Sequence, residues 1–499
     1  MPKRKEIIEQ AGIYTLSSQI TQLITLVAAI LSRRFLGPTQ VGIWATLQVL
    51  VEYSKYSSLG ALYLVAREIP YLLGKGQTEA ADQIKNVVFT VVLLGAMLLG
   101  CAIFLFAFFT RSRFAPEMTY GLFFISAIIV FQRLNDFLIS LLRCYKKFAL
   151  ASKQMIWSSL VNAVLVAFFA YYFKIYGFIW AIGLSFLFNI IYILAHQNFH
   201  FRLQLQAKRF QHIVSFGFPL MMIGILTTVL RSIDKIMVAK WLGFEALGFY
   251  SIAFMVSTYI GSFSNAIAIV LVPHLQERYG VHDNPKALAG FLSKAGDVFS
   301  ITTPLMIGGA WIVAPYFVQL FLPKFIPGIE AMKYLSCSIF FIALAQPYSD
   351  FLITIKKHIL LFPLLGGTAL LSFAMSAGSI RLGYGIHGVA LASTVAAFFN
   401  AAATYLLAAR DLTHVRETLQ KGWVFMSRFF YLLFIIGALR YAIPAHIESL
   451  QVTGARFFVF LILYSPLLFQ LNRQFRLLSF LREKWLALKY VPSEGNLGL

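Results

Sequence analysis

A chain of 499 residues that is 59% hydrophobic and only 12% charged, with a mean hydropathy of +0.76, has too much apolar surface for a soluble globule. The composition predicts an all-α polytopic membrane protein with no soluble domain. The net charge of +22 would suit a nucleic-acid binder in water, but the basic residues gather in short loops on one side of the predicted spans. That bias marks the cytoplasmic face, places both termini inside and leaves no reason to invoke nucleic acid.

Apolar runs of roughly 18 or more residues recur along the chain and predict about fourteen transmembrane helices. The first, about Tyr14 to Ser32, carries Thr15, Gln19, Gln22 and Thr25, a polar density that suits a cavity wall or a helix contact better than lipid. The second, about Val41 to Tyr63, holds Glu52 and Lys55 three apart on one helical face. A charge at the bilayer centre costs about 2.5 to 3.5 kcal/mol, so the two form an internal ion pair or line a wet cavity. Pro70 is expected to end this helix, as Pro273 would end the eighth. The fourth run places Arg133 and Asp136 three apart, which reads as an internal pair. After the sixth run, NFHFRLQLQAKRFQH reads as an amphipathic linker on the membrane surface.

The seventh run ends in RSIDKIMVAKWLGFEALGFY, residues 231–250. Arg231, Asp234 and Lys235 share nearly one face, so two cations meet one anion and positive charge is left over. The same stretch repeats the earlier RFLGPTQVGIW: Gly243 and Gly248 follow Gly37 and Gly42 at one offset of 206 residues (243 − 37 and 248 − 42). Looser echoes put Asp350 after Asp136 and Tyr384-Gly385 after Tyr176-Gly177. The chain therefore reads as two six-helix repeat lobes plus two C-terminal helices: residues 1–200 and 213–410 joined by a cytoplasmic linker at 201–212, then 411–499 with a basic tail. Such repeats mark transporters. The eighth run adds Ser262 and Asn265 as cavity polar groups, Thr302-Thr303-Pro304 predicts a kink in the ninth, and Asp350 falls in the tenth.

No metalloprotease, Walker A, D-x-D or paired-cysteine metal spacing occurs, so no catalytic residue, metal site or cofactor is expected. The single G-x-G-x-x-G, Gly383 to Gly388, lies between two apolar runs and reads as a turn.

RRFLGPTQVGIW, REIPYLLGKG and RSIDKIMVAKWLGFEALGFY, together with the 6+6+2 helix plan, carry a resemblance. The chain resembles the polysaccharide transporter family of the multidrug/oligosaccharidyl-lipid/polysaccharide exporter superfamily, which contains O-antigen and related lipid-linked oligosaccharide flippases. The resemblance implies two lobes around a central cavity, alternating access, and a polyprenyl-diphosphate-linked oligosaccharide carried from the inner to the outer leaflet of a bacterial cytoplasmic membrane. It implies cations that hold the diphosphate, for which this chain offers Lys55 and Arg231, with Lys235 near the outer mouth. Glu52, Asp136, Asp234 and Asp350 are the acids that could take a coupling proton or sodium ion, Glu52 first because it lies deepest. Partners would be the lipid-linked oligosaccharide, membrane lipids, glycosyltransferases and a polysaccharide polymerase. The alternatives are a multidrug and toxin extrusion antiporter, then a membrane-embedded glycan polymerase or glycosyltransferase.

Overall fold

A computed structural model describes residues 4–412, 415–443 and 449–475, and leaves the side chains of residues 4–15 and a few later positions undescribed. Lys3 and the basic tail residues Arg476, Arg482, Lys484 and Lys489, which the charge bias reads as cytoplasmic, lie outside the described residues. In chain order the helices are α1 (Arg4–Ser54), α2 (Ala61–Gly74), α3 (Thr78–Thr110), α4 (Pro116–Cys144), α5 (Phe148–His196), α6 (Ala207–Trp241) and α7 (Gly243–His282). They continue with α8 (Ala289–Phe321), α9 (Ile329–Thr354), α10 (Leu361–Arg381), α11 (Gly385–Ala409), α12 (Val415–Ala442) and α13 (Leu450–Phe475). Eleven of the described helical stretches are long and apolar enough to cross a membrane, so this is a multi-pass membrane protein. α1 turns at Gly37 and α5 at Lys174, each by one residue of non-helical geometry. Each is thus two legs, so the eleven stretches make thirteen, with α2 continuing the second leg of α1, and the 35-residue α6 is the fourteenth of the predicted helices.

The repeat is visible in the backbone. Gly37 and Gly243 both hold left-handed φ, +76° and +88°, where one leg turns into the next. The turns after α4 and α9 match bond for bond: Tyr145, Lys146 and Lys147 donate to Leu141, Arg143 and Leu142, and Ile355, Lys356 and Lys357 donate to Phe351, Ile353 and Leu352. That match has an offset of 210 (355 − 145), so the register partner of Asp136 is Gln346. Aligning Asp136 with Asp350 slips one helical turn, which apolar sequence with few landmarks permits.

The two proline stops and the linker are corrected. Pro70 and Pro273 sit inside α2 and α7, which run on past them; one lost hydrogen bond is tolerated where neighbouring groups re-satisfy the backbone. Residues 197–206 form an extended strap, tied by the backbone N–H of Arg202 to Asn86 Oδ1 (3.2 Å) and that of Gln204 to Thr90 Oγ1 (2.9 Å). Phe201 stacks on Phe89 at 4.7 Å and Phe199 packs beside it, while Leu203 and Leu205 stay exposed. The linker therefore docks through Phe199 and Phe201, two residues apart on one face of an extended segment, and helix begins only with α6. Gly383 and Gly385 turn α10 into α11 with left-handed φ.

The chain divides into two compact units. The first comprises Met1–Met255, Leu320–Tyr334 and Phe362–Ala396. Its core joins α2, α3 and α4 through Leu64, Val65, Ile69, Val87, Val88, Phe137 and Leu141. Within it the two repeat motifs touch reciprocally. A Cβ on Gly42 would fall on the carbonyl of Phe244, and a Cβ on Gly248 on the carbonyl of Pro38, so the repeat partners exchange the same contact. Arg33 reinforces this seam by donating to Ser251 Oγ at 3.1 Å.

The second unit comprises Val256–Gln319, Leu335–Leu361 and Ala397–Leu499. Here α12 and α13 are integral to the core: Phe429 stacks on Phe340 at 4.7 Å, and the fully buried Tyr464 donates to the Ile301 carbonyl at 2.8 Å. Pro304 lies inside α8 between buried Thr303 and Ile307.

Candidate functional site

The candidate site is built in the first unit around an interruption in a membrane leg. α1 ends at Ser54, Lys55–Ser58 form a 3-10 turn, and Leu59 and Gly60 turn left-handed at φ +49° and +80° before α2 begins. The local sequence explains the break. Ser54 Oγ donates to the Val51 carbonyl (2.7 Å) and Ser58 Oγ to the Lys55 carbonyl (3.0 Å), competing with the helical ladder, and Gly60 takes positive φ without a Cβ clash. Irregular backbone at membrane depth is tolerated only where protein or a wet cavity covers it. α3 and α6 supply the cover: a Cβ at Gly95 would strike the Ser57 carbonyl, and Gly60 lies directly on the backbone of Gly217.

Two hydroxyl rungs set α6 along this leg. Tyr53 Oη lies 2.9 Å from Ser232 Oγ, and Tyr56 Oη 2.6 Å from Thr228 Oγ1. The i,i+3 tyrosines and the i,i+4 hydroxyl residues place both rungs on facing helical stripes. Sequence reasoning passed over all four residues. Their signal was the recurrence of Tyr and Ser/Thr at helical spacing beside Glu52, Lys55, Arg231 and Lys235.

The charges are then distributed unevenly. Glu52 Oε1 meets Lys235 Nζ at 3.8 Å across the helix pair, so the partner of Glu52 is not its neighbour Lys55. Lys235 also lies over the Phe254 ring at 5.0 Å. Asp234 turns away: it is buried, taking the Tyr250 hydroxyl on Oδ2 and the Lys235 backbone N–H on Oδ1, both at 2.8 Å. It makes no side-chain ion pair with Arg231 or Lys235 among the described residues. Lys55 is exposed, stacked over Tyr56 at 5.0 Å and close enough to Glu52, Arg231 and Arg133 to feel their charges. Arg231 is exposed too, and neither cation has an ion pair or direct hydrogen bond among the described residues. Arg133 is buried and pairs with Asp136 at 3.0 Å, the internal pair the i,i+3 spacing suggests. Lys55, Arg231 and Lys235 thus outnumber the nearby carboxylates, Glu52 and the buried Asp234, a surplus that an anion can match.

The other candidates fall elsewhere. Gln19, Gln22 and Thr25 run as a stripe on the first leg of α1, with Gln19 and Thr25 exposed and the Thr25 hydroxyl donating to the Thr21 carbonyl at 2.8 Å. Ser262, Asn265 and Asp350 belong to the second unit. Ser262 donates to the Tyr259 carbonyl, Asn265 is exposed, and both oxygens of Asp350 accept from Gln346 Nε2 at 3.1 Å.

Solved structures of similar architecture include a flippase and multidrug transporters. A lipid II flippase, MurJ, in an inward closed conformation superposes with a TM-score of 0.68 at 15% identity, covering 93% of this chain and 99% of that one. An inward-facing multidrug resistance transporter of the MATE family, in the MOP superfamily, gives 0.65 at 15% identity over 80% of this chain and 97% of that one. The outward-facing conformation of such a transporter gives 0.59 at 16% identity, over 81% and 94%. The chain therefore shares the fold of both. A search of curated proteins found no match. The family model described as polysaccharide biosynthesis protein matches residues 7–278, more than half of the chain. The chain belongs to the polysaccharide biosynthesis protein family.

Proposed function

We propose that this protein carries a polyprenyl-diphosphate-linked oligosaccharide, a repeat unit of a cell-surface glycan such as O-antigen or lipopolysaccharide, from the inner to the outer leaflet of a bacterial cytoplasmic membrane by alternating access. The observation that carries this reading is the cation surplus at the helix break: Lys55, Arg231 and Lys235 against Glu52 and the buried Asp234. A diphosphate-sugar headgroup cannot cross about 30 Å of hydrocarbon unaided, because shedding its hydration is prohibitive. Freed backbone groups, tyrosine hydroxyls and unmatched cations would replace that hydration shell while the polyprenyl tail stays in lipid. The transporter moves its cargo without covalent chemistry; glycosyltransferases would supply it inside and a polymerase would consume it outside.

A multidrug extruder handling organic cations would need the opposite charge balance at this site, although it shares the fold. For the energy source, Glu52 and Asp136 are engaged by cations and Asp234 is buried against Tyr250, whereas Asp350 is partly exposed and met by the neutral Gln346 amide. Asp350 is therefore the acid we assign to a coupling proton or sodium ion.

The test uses proteoliposomes loaded with fluorescent polyprenyl-diphosphate oligosaccharide and an impermeant lectin that reports outer headgroups. Wild-type protein is expected to exchange the lipid between leaflets. Lys55→Ala and Arg231→Ala should each slow exchange about 10- to 100-fold, the worth of one charge-assisted hydrogen bond. Wild-type rates in both variants would sink the headgroup clamp.

A further inference from the structure

The second unit contains a cavity of about 610 Å³ where the N-terminal halves of α8 and α12 meet the last turn of α13. Ser293 and Asp297 reach it from one face of α8, Lys421 and Arg428 from one face of α12 two turns apart, and Arg473 and Gln474 from α13. Its inner wall is a bonded cluster. The buried Arg428 donates from Nη1 to Asp297 Oδ1 (2.7 Å) and to Ser300 Oγ (2.6 Å), and Gln474 Nε2 donates to Asp297 Oδ2 (2.9 Å). The carboxylate is thus used on both oxygens. At the mouth, Lys421 and Arg473 make no ion pair or hydrogen bond among the described residues. Three cations face one anion in a space much larger than an ion needs.

The depth of the cavity restricts the ligand. All three helix ends lie on the face that the loop charges assign to the cytoplasm, so its mouth opens at the level of lipid headgroups. Beside the polar wall, Val424 and Phe425 give an apolar flank against which a glycerol and upper acyl chain can lie. Unmatched Lys and Arg at that level attract anionic lipid, and two donors on different helices can close on one phosphate from both sides.

We propose that this cavity binds the phosphate of an anionic phospholipid of the inner leaflet as a resident lipid, clamped between Lys421 and Arg473 over the Arg428–Asp297 pair. The lipid bridges α12 and α13 to α8. The site shares no residue with the one built on Lys55 and Arg231 and does not depend on what the protein transports.

Native mass spectrometry of the full-length chain in detergent tests it, with phosphatidylglycerol, phosphatidylcholine, undecaprenyl diphosphate and inorganic phosphate as probes. One phosphatidylglycerol should bind tightly and phosphatidylcholine should not. Lys421→Gln/Arg473→Gln should weaken the phosphatidylglycerol complex about 30-fold, as expected for two surface cations, and Lys421→Arg/Arg473→Lys should keep it. Equal binding of phosphatidylglycerol by wild type and the glutamine pair, or equal binding of phosphatidylcholine, would overturn the site. Occupancy by undecaprenyl diphosphate but not phosphatidylglycerol would make it a cargo station, and occupancy by inorganic phosphate alone would remove the lipid; either result overturns the resident-lipid assignment.

Discussion

At the residue scale, the charge balance at the helix break is set by a contact between distant parts of the chain. Glu52 and Lys55 are three apart, and local geometry favours their pairing, yet Glu52 reaches Lys235, 183 residues away (235 − 52). Nothing in a single sequence reports such a contact, since the tyrosine rungs that bring α6 alongside α1 are themselves long-range. The consequence is testable. Glu52→Gln removes the counter-ion of Lys235 and adds one unit of positive charge to the site, so the apparent affinity for an anionic lipid headgroup should rise about two- to tenfold in the proteoliposome assay. An imposed pH or sodium gradient should still drive exchange in Glu52→Gln and lose its effect in Asp350→Asn. The reverse pattern would transfer the coupling role from Asp350 to Glu52.

At the scale of elements, the helix count was legible because apolar runs of membrane length are hard to read otherwise, and the turns at Gly37 and Gly243 could be anticipated from the repeated Leu-Gly. The interruption at Lys55–Gly60 was not. KYSSLG is embedded in a run that stays apolar on average, and only the backbone shows that its serines and glycine end the helix. The interruption should be sensitive in proportion to how tightly it is covered. Gly60→Ala adds a Cβ both at positive φ and against Gly217, so it should lower the thermal unfolding midpoint in detergent and cost about 1 to 3 kcal/mol. Gly74→Ala, at a position with open space around it, should leave the midpoint unchanged. Equal behaviour of the two would mean that the close approach carries no energy. The strap at residues 197–206 was misread for a related reason. Its alternation of Phe199 and Phe201 is too short to compete with the helical pattern that follows.

At the scale of the whole molecule, the internal repeat was the most informative feature of the sequence, and the fold gives it a physical role. The motif recurs where the two copies meet: Gly42 takes the carbonyl of Phe244, and Gly248 takes that of Pro38. A side chain at either glycine must push the backbones apart. Gly42→Val and Gly248→Val should each slow lipid exchange, and the double variant should be little worse than either single one, because one displaced seam cannot be displaced twice. Additive losses would instead make the two contacts independent.

That reciprocity bears on how the seam can open. Two matched contacts arranged about one axis cannot be released in sequence without bending the legs that hold them, so half-open states are penalised from both sides. The seam should therefore behave as a latch with two positions, and a population of molecules watched one at a time would jump between them rather than drift.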